Sequence, residues 1–277
     1  MTTAFRYKLV YFDNDNTAQR TEMVAFRVVA NVLRWYLDAN NRQDVVTDPL
    51  ALQKQYAGDQ MPEICRDFFT KNNVTFDEGS IASLAQANKE QTIPAMEQHS
   101  EPTDGMIQTA QALGNQGRQL ALVTSSESRR VQGGLRKTGL DQFFTGLNFE
   151  GGNIYTVPDS LPKAGLKATP KPHPAICNLA ARQTAVPKRH SVAVEDSATG
   201  VKAWVAAGIA VIGYTGADPL TDEEREVLTQ KLLAAGAVTV IHHMSELPKT
   251  IESLEKGELR KARVTAELAS RARQRVA

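Results

Sequence analysis

Residues 7–17 read YKLVYFDNDNT. The first six, mostly aromatic, aliphatic and β-branched, predict a short strand buried on both faces. The run stops at Asp13-Asn14-Asp15-Asn16-Thr17, where two carboxylates stand two residues apart. Ligands of an open parallel sheet bind beyond the carboxyl ends of its strands. A strand of this kind needs parallel partners, so the fold depends on whether the rest of the chain supplies them.

From about residue 21 the period changes. Met23, Phe26, Val29, Ala30, Leu33 and Leu37 recur at intervals of three and four, one apolar stripe of a helix. Residues 50–56, 61–71 and 79–98 also read as helices, separated by turn-like Gly58-Asp59 and Asn72-Asn73. Residues 19–99 thus form an all-helical insertion behind the first strand. Pro102-Thr103-Asp104-Gly105 ends it. A helix over 106–116 leads into a strand at 119–124, and a further helix, capped by Ser126 or Ser128, runs to Thr138 and closes at Gly139. Gly133-Gly134 inside that helix costs about 1 kcal/mol per residue relative to Ala; the pair either permits close packing or breaks the helix. Strands are expected at about 143–148, 190–194, 209–214 and 238–241, with helices at 174–183 and 199–207. Alternating strands and helices predict an α/β fold: a doubly wound parallel sheet, Rossmann-like, with an inserted α-helical cap domain. The core is assigned to 1–18 and 100–250, the cap to 19–99, and a basic C-terminal helix or tail to 251–277.

Composition narrows the class. The 277 residues suffice for two domains. Lys and Arg number 32 against 31 Asp and Glu, a net charge of +1 that marks no global attraction to nucleic acid or membrane. No apolar run approaches the roughly 18 residues of a membrane span, and the N-terminal residues lack the pattern of a signal peptide. Cys65 and Cys177 show no metal-ligand spacing and read as buried thiols of a reducing compartment. The expected localisation is cytoplasmic.

The polar residues that end the predicted strands are Asp13 and Asp15, Thr124 and Ser125, and Glu195 and Asp196; Lys171 falls just before the fourth strand. Each has an ordinary reading alone: a solvated turn for DxD, a helix N-terminal acid pair for Glu195-Asp196, a cap for Thr124-Ser125. Together they place four carboxylates, two hydroxyls and one lysine on one rim. Magnesium is held by one or two carboxylates with phosphate oxygens and water. An Asp can attack phosphorus covalently, and a second acid two residues away can protonate the leaving oxygen and later deprotonate water.

These segments resemble the haloacid dehalogenase superfamily, in its phosphatase-like or β-phosphoglucomutase-like subgroup with a helical cap after the first strand. DNDNT at 13–17, LALVTSS at 120–126, Lys171 in TPKPHP and SVAVEDSATGVKAWVAAGI at 191–209 match its four signatures in order. The resemblance implies Asp13 as nucleophile and magnesium ligand. It implies Asp15 as general acid/base, its backbone carbonyl also on the metal. Thr124 would bond the phosphoryl oxygens, and Lys171 would neutralise them and steady Asp13. Asp196 would ligate the metal directly, Glu195 directly or through water. Backbone N–H groups around Asn14, Asn16 and Ser125 would complete the phosphate site, and the cap would close over it. Dehalogenases lack the second acid, so Asp15 speaks for phosphoester chemistry.

Three departures stand out. Asn16 occupies a position where the family usually has Gly. Arg20-Thr21-Glu22 replaces a common DSE. No arginine occurs around Gly58-Asp59-Gln60-Met61-Pro62 to hold a second phosphate, which argues against a mutase. The expected activity is magnesium-dependent hydrolysis of a small phosphorylated metabolite through an aspartyl-phosphate. A phosphoglucomutase-like phosphotransferase and a catalytically retired binding or scaffold protein are the alternatives. The connection 146–170 reads as a substrate-facing flap or a surface loop. Residues 255–277 carry seven Lys/Arg and three Glu, a local +4 without aromatic interleaving, which gives nucleic-acid binding little support.

Overall fold

The apolar YKLVYF run forms strand β1 (Leu9–Phe12), all four residues of which are buried. The computed structural model describes residues 6–257, and the expectation for a basic tail lies almost wholly outside these residues. After β1 come β2 (Gln19–Arg20) and four helices: α1 (Glu22–Ala39), α2 (Pro49–Tyr56), α3 (Met61–Lys71) and α4 (Glu78–His99). Then come β3 (Glu101–Pro102), α5 (Met106–Asn115), β4 (Gln119–Thr124), α6 (Ser128–Thr138), β5 (Ile154–Thr156), α7 (Val157–Lys163) and α8 (Ala175–Gln183). The chain continues through β6 (Ser191–Glu195), α9 (Ala198–Ala206), β7 (Ala210–Tyr214), α10 (Asp222–Ala235), β8 (Thr239–Ile241) and α11 (Leu247–Glu255).

Six strands form one sheet in the order β5-β4-β1-β6-β7-β8, and every pairing in it is parallel. The chain winds outward from β1 in one direction through β4 and β5, and in the other through β6, β7 and β8. The switch point of this α/β fold is therefore β1 with its neighbours β4 and β6, where such sheets bind ligands. Register fixes the strand ends: Phe12 lies opposite Leu122 of β4 and Val194 of β6. Just beyond these positions, Asp13, Thr124 and Glu195 emerge on one rim.

Two groups of segments are compact in themselves. Among the described residues, 6–18, 102–126 and 142–257 make the sheet unit; residues 19–101 and 127–141 make a helical unit, the cap. Within the sheet unit, Trp204 of α9 stacks on Tyr11 of β1 with ring centroids 4.8 Å apart, and both are fully buried. Arg118, also buried, donates to the Tyr7 carbonyl and pairs with Glu255 of α11 at 2.9 Å, while Glu255 accepts from the Tyr7 N–H at 2.9 Å. Replacing Arg118 by Met leaves that carboxylate without its cation and is expected to cost about 2 kcal/mol. Guanidinium denaturation checks this; an unchanged midpoint would show that Glu255 finds another donor.

In the helical unit, the α1 stripe packs Phe26, Val29, Leu33 and Leu37 against Phe69, Ile81 and Leu84. Asp48 and Asp77 cap α2 and α4 by accepting from Ala51 N and Ser80 N. Helix α6 runs unbroken through Gly133-Gly134 because close packing requires them: a Cβ on Gly133 would stand 2.6 Å from the Glu97 side chain of α4. Cys65 and Cys177 are buried and free, and burial pushes both thiols up to about 12.

Three local expectations fail. No strand occupies 143–148; the chain turns there to bury Phe144 and Leu147, and the edge strand is β5, at 154–156. The stretch 146–170 is consequently not a plain surface loop, since it holds β5 and α7. Neither Ser126 nor Ser128 is the N-cap of α6. Glu127 occupies that position without a side-chain cap bond, because the Ser126 hydroxyl is engaged elsewhere.

Candidate active site

Residues 13–18 leave β1 in a tight turn, closed by the Ala18 N–H on the carbonyls of Asp13 and Asn14. Asn16 sits in the left-handed region at φ 53°. An Asn takes that conformation more readily than most residues, which is how the turn forms without glycine. Asp13, Asn14, Asn16 and Thr17 are all buried.

Lys171 is the electrostatic centre. Its ammonium donates to Asp13 Oδ1 at 2.6 Å, Glu195 Oε2 at 2.8 Å and the Val123 carbonyl at 3.0 Å, which employs all three of its protons. The lysine side chain is only 6% exposed. Burial opposes its charge, but Asp13 and Glu195 outweigh that and hold it above the ordinary lysine value. One cation cannot balance two buried anions. The surplus falls on Asp13: burial, then repulsion from Glu195, pushes it up to about 8 against the pull of Lys171.

Glu195 ends β6 and is held by the start of α9. Ser197, the N-cap, donates its hydroxyl to Glu195 Oε1 at 2.8 Å while accepting from Gly200 N at 3.0 Å. Gly200 is required there, since a Cβ would lie 2.0 Å from the Glu195 carboxyl carbon. Asp196 accepts from Thr17 Oγ1 at 2.9 Å. The Asp15 carboxylate accepts from the Ser126 hydroxyl, and the Thr124 hydroxyl accepts from Ser126 N at 3.0 Å. Ser125, exposed, accepts from Lys171 N at 3.3 Å.

Carboxylate oxygens of Asp13, Glu195 and Asp196 all lie within 4.8 Å of one another. An all-oxygen donor set of this size suits a hard divalent cation. The raised Asp13 carboxyl marks the same deficit of positive charge from the electrostatic side.

The residues named from sequence thus share one rim of the sheet unit: Asp13, Asp15, Thr124, Ser125, Lys171, Glu195 and Asp196, with Asn14 and Asn16 in the turn. Sequence reading misses the residues that hold them. Ser126 reads as a helix cap, Ser197 and Gly200 as an ordinary helix start, and Asp218, which accepts from Asn16 Nδ2 at 3.2 Å, carries no motif. Only the capping pattern of Ser197 offers a signal.

Residues 7–208 match the family model of haloacid dehalogenase-like hydrolases. Solved structures agree. A conserved haloacid dehalogenase-like protein of unknown function from Agrobacterium tumefaciens is 25% identical, over 90% of this chain and 99% of that one, with a TM-score of 0.69. A hydrolase from Deinococcus radiodurans, solved with bound phosphate and sodium, is 23% identical over 92% and 97%, with a TM-score of 0.68. CbbY from Rhodobacter sphaeroides, solved with phosphate, is 22% identical over 87% and 96%, with a TM-score of 0.61.

Proposed function

Because the chain belongs to the haloacid dehalogenase-like hydrolases, we propose that it hydrolyses the phosphomonoester of a small metabolite, with magnesium, through an aspartyl-phosphate on Asp13. The observation that carries this reading is the Lys171 ammonium bridging Asp13 and Glu195, with Asp196 completing an oxygen cluster beside them.

Asp13, Glu195 and Asp196 would hold the cation, with the Asp15 carbonyl as a further donor. When bound, magnesium supplies positive charge for the phosphoryl oxygens. The chain's own groups do the rest. An Asp13 carboxylate oxygen attacks phosphorus as the bond to the leaving alcohol breaks. Asp15 delivers its proton to that alcohol oxygen. A water then gives a proton to Asp15 and attacks phosphorus, which releases inorganic phosphate and frees Asp13. Lys171, the Thr124 hydroxyl and the turn amides near Asn14, Asn16 and Ser125 orient and neutralise the phosphoryl group. Ser126 holds the Asp15 carboxylate in place.

Phosphate binds to two proteins of the same fold, the Deinococcus hydrolase and CbbY, in support of the phosphoryl site. The missing arginine near residues 58–62 weighs against a mutase. Among the described residues, no helix is long and apolar enough to cross a membrane.

The test is release of inorganic phosphate from an aryl phosphate and a panel of metabolite phosphates. Turnover is expected to require magnesium and to cease with chelator. An isomerised sugar phosphate in place of free sugar would establish a mutase, and absence of turnover on the whole panel would sink the enzymatic reading.

A further inference from the structure

The turn that carries the nucleophile is tied to three other strand ends. Asp15 is bonded to Ser126 beyond β4, Thr17 to Asp196 beyond β6, and Asn16 to Asp218 beyond β7. The first two ties use residues within recognised motifs. Asp218 lies 202 residues from its partner in the loop 215–220, to which the proposed reaction assigns no part.

That loop is braced at both ends. Arg225 of α10 donates to the Thr215 carbonyl at 3.0 Å and reaches the Leu220 carbonyl at 3.5 Å. The Thr215 hydroxyl bonds His242 Nδ1 at 2.6 Å, beyond the end of β8. Pro219 fixes its own φ and restricts the backbone of Asp218 before it. A braced loop thus presents one carboxylate to one carboxamide. The bond is charge-assisted, and it falls on the residue of the turn that adopts φ 53° in place of the usual glycine.

We propose that Asp218 is a positioning residue: through the Asn16 carboxamide it fixes the turn between Asp13 and Thr17, and so the placement of Asp15 and the turn amides around the transferring phosphoryl group. The proposal rests on the phosphohydrolase reading. A bare carboxylate beside a phosphate would repel it; spent on Asn16, the same charge orients the turn.

The test compares wild type with Asp218→Ala, Asp218→Asn, Asn16→Gly and the double variant Asn16→Gly/Asp218→Ala. The assay is magnesium-dependent aryl phosphate hydrolysis, alongside amide hydrogen exchange of residues 13–18. Asp218→Ala is expected to lower kcat about ten-fold, as small misplacements of reacting groups do, with KM nearly unchanged and faster exchange in the turn. Asp218→Asn, whose carbonyl oxygen accepts the same bond, should retain most of kcat. In the Asn16→Gly background, Asp218→Ala should cost nothing further. Equal losses in both backgrounds, a wild-type kcat in Asp218→Ala, or an Asn variant as impaired as Ala would each overturn the proposal. If wild type itself releases no phosphate, the hydrolase reading fails alone. The exchange comparison needs no turnover, and unaltered exchange at 13–18 in Asp218→Ala would then overturn the positioning role.

Discussion

Asp13→Asn is expected to lower turnover by at least about 10³-fold, the scale seen when a covalent nucleophile is removed, while making the metal-free protein more stable. The carboxamide matches the carboxylate in shape but cannot attack phosphorus, so steady-state phosphate release reads the first effect. The second effect comes from charge. Asp13 and Glu195 share one lysine, and Asp13 is pushed up from 3.8 to about 8 by burial and by Glu195. Between these values the folded protein holds a proton that the unfolded chain has released. Stability of the wild type therefore falls as pH rises through that window. Asparagine removes this slope and leaves one cation facing one anion. In the presence of EDTA, the melting temperature of Asp13→Asn should exceed that of wild type by an amount that grows from about pH 4 to pH 8. Undiminished phosphate release would remove Asp13 as nucleophile, and a variant that melts lower at pH 8 would refute the charge account.

Lys171→Met should damage both activity and fold. It leaves Glu195, and Asp13 once that carboxyl ionises near pH 8, without their common cation, and breaking a buried pair in this way costs about 3–5 kcal/mol. The sign with pH is opposite to that of Asp13→Asn. Lys171 is held above its ordinary value of 10.5, so its stabilising contribution is complete below that pH and lost only at strongly alkaline pH. The deficit of Lys171→Met relative to wild type should approach its full size at about pH 8, where Asp13 ionises. It should narrow under acid conditions, where protonation removes the charges that the lysine offsets. Urea titrations at pH 5 and pH 8 in EDTA check this, and a deficit independent of pH would point to lost packing instead. Phosphate release should fall with it, since the phosphoryl oxygens would lose the counter-charge that the lysine supplies.

The parts legible in sequence are those whose physics is local. YKLVYF announces a strand because its apolar run is uninterrupted, and Met23 to Leu37 announces a helix because its period is written in consecutive turns. The chemistry of the rim is legible for a related reason: a parallel sheet sends successive strand ends to the same edge, so Asp13, Thr124 and Glu195 meet once the strands are placed. Residues 143–148 mislead because a short apolar run buries equally well in a turn, as Phe144 does. Ser126 misleads because a hydroxyl before a helix looks the same whether it caps the helix or bonds Asp15. Asp218 is invisible, since no spacing rule links it to Asn16 at a distance of 202 residues.

The helical unit is assembled from two separate stretches of chain, with residues 127–141, which hold α6, grouped with the helices of 19–101. The unit cannot be transplanted as one cassette. A chimera that exchanges only the stretch after β1 would pair a foreign α4 with the resident α6, whose Gly133 is shaped to the Glu97 side chain. Recombination between relatives, in the laboratory or in evolution, has to carry both pieces across together or rebuild the seam between them.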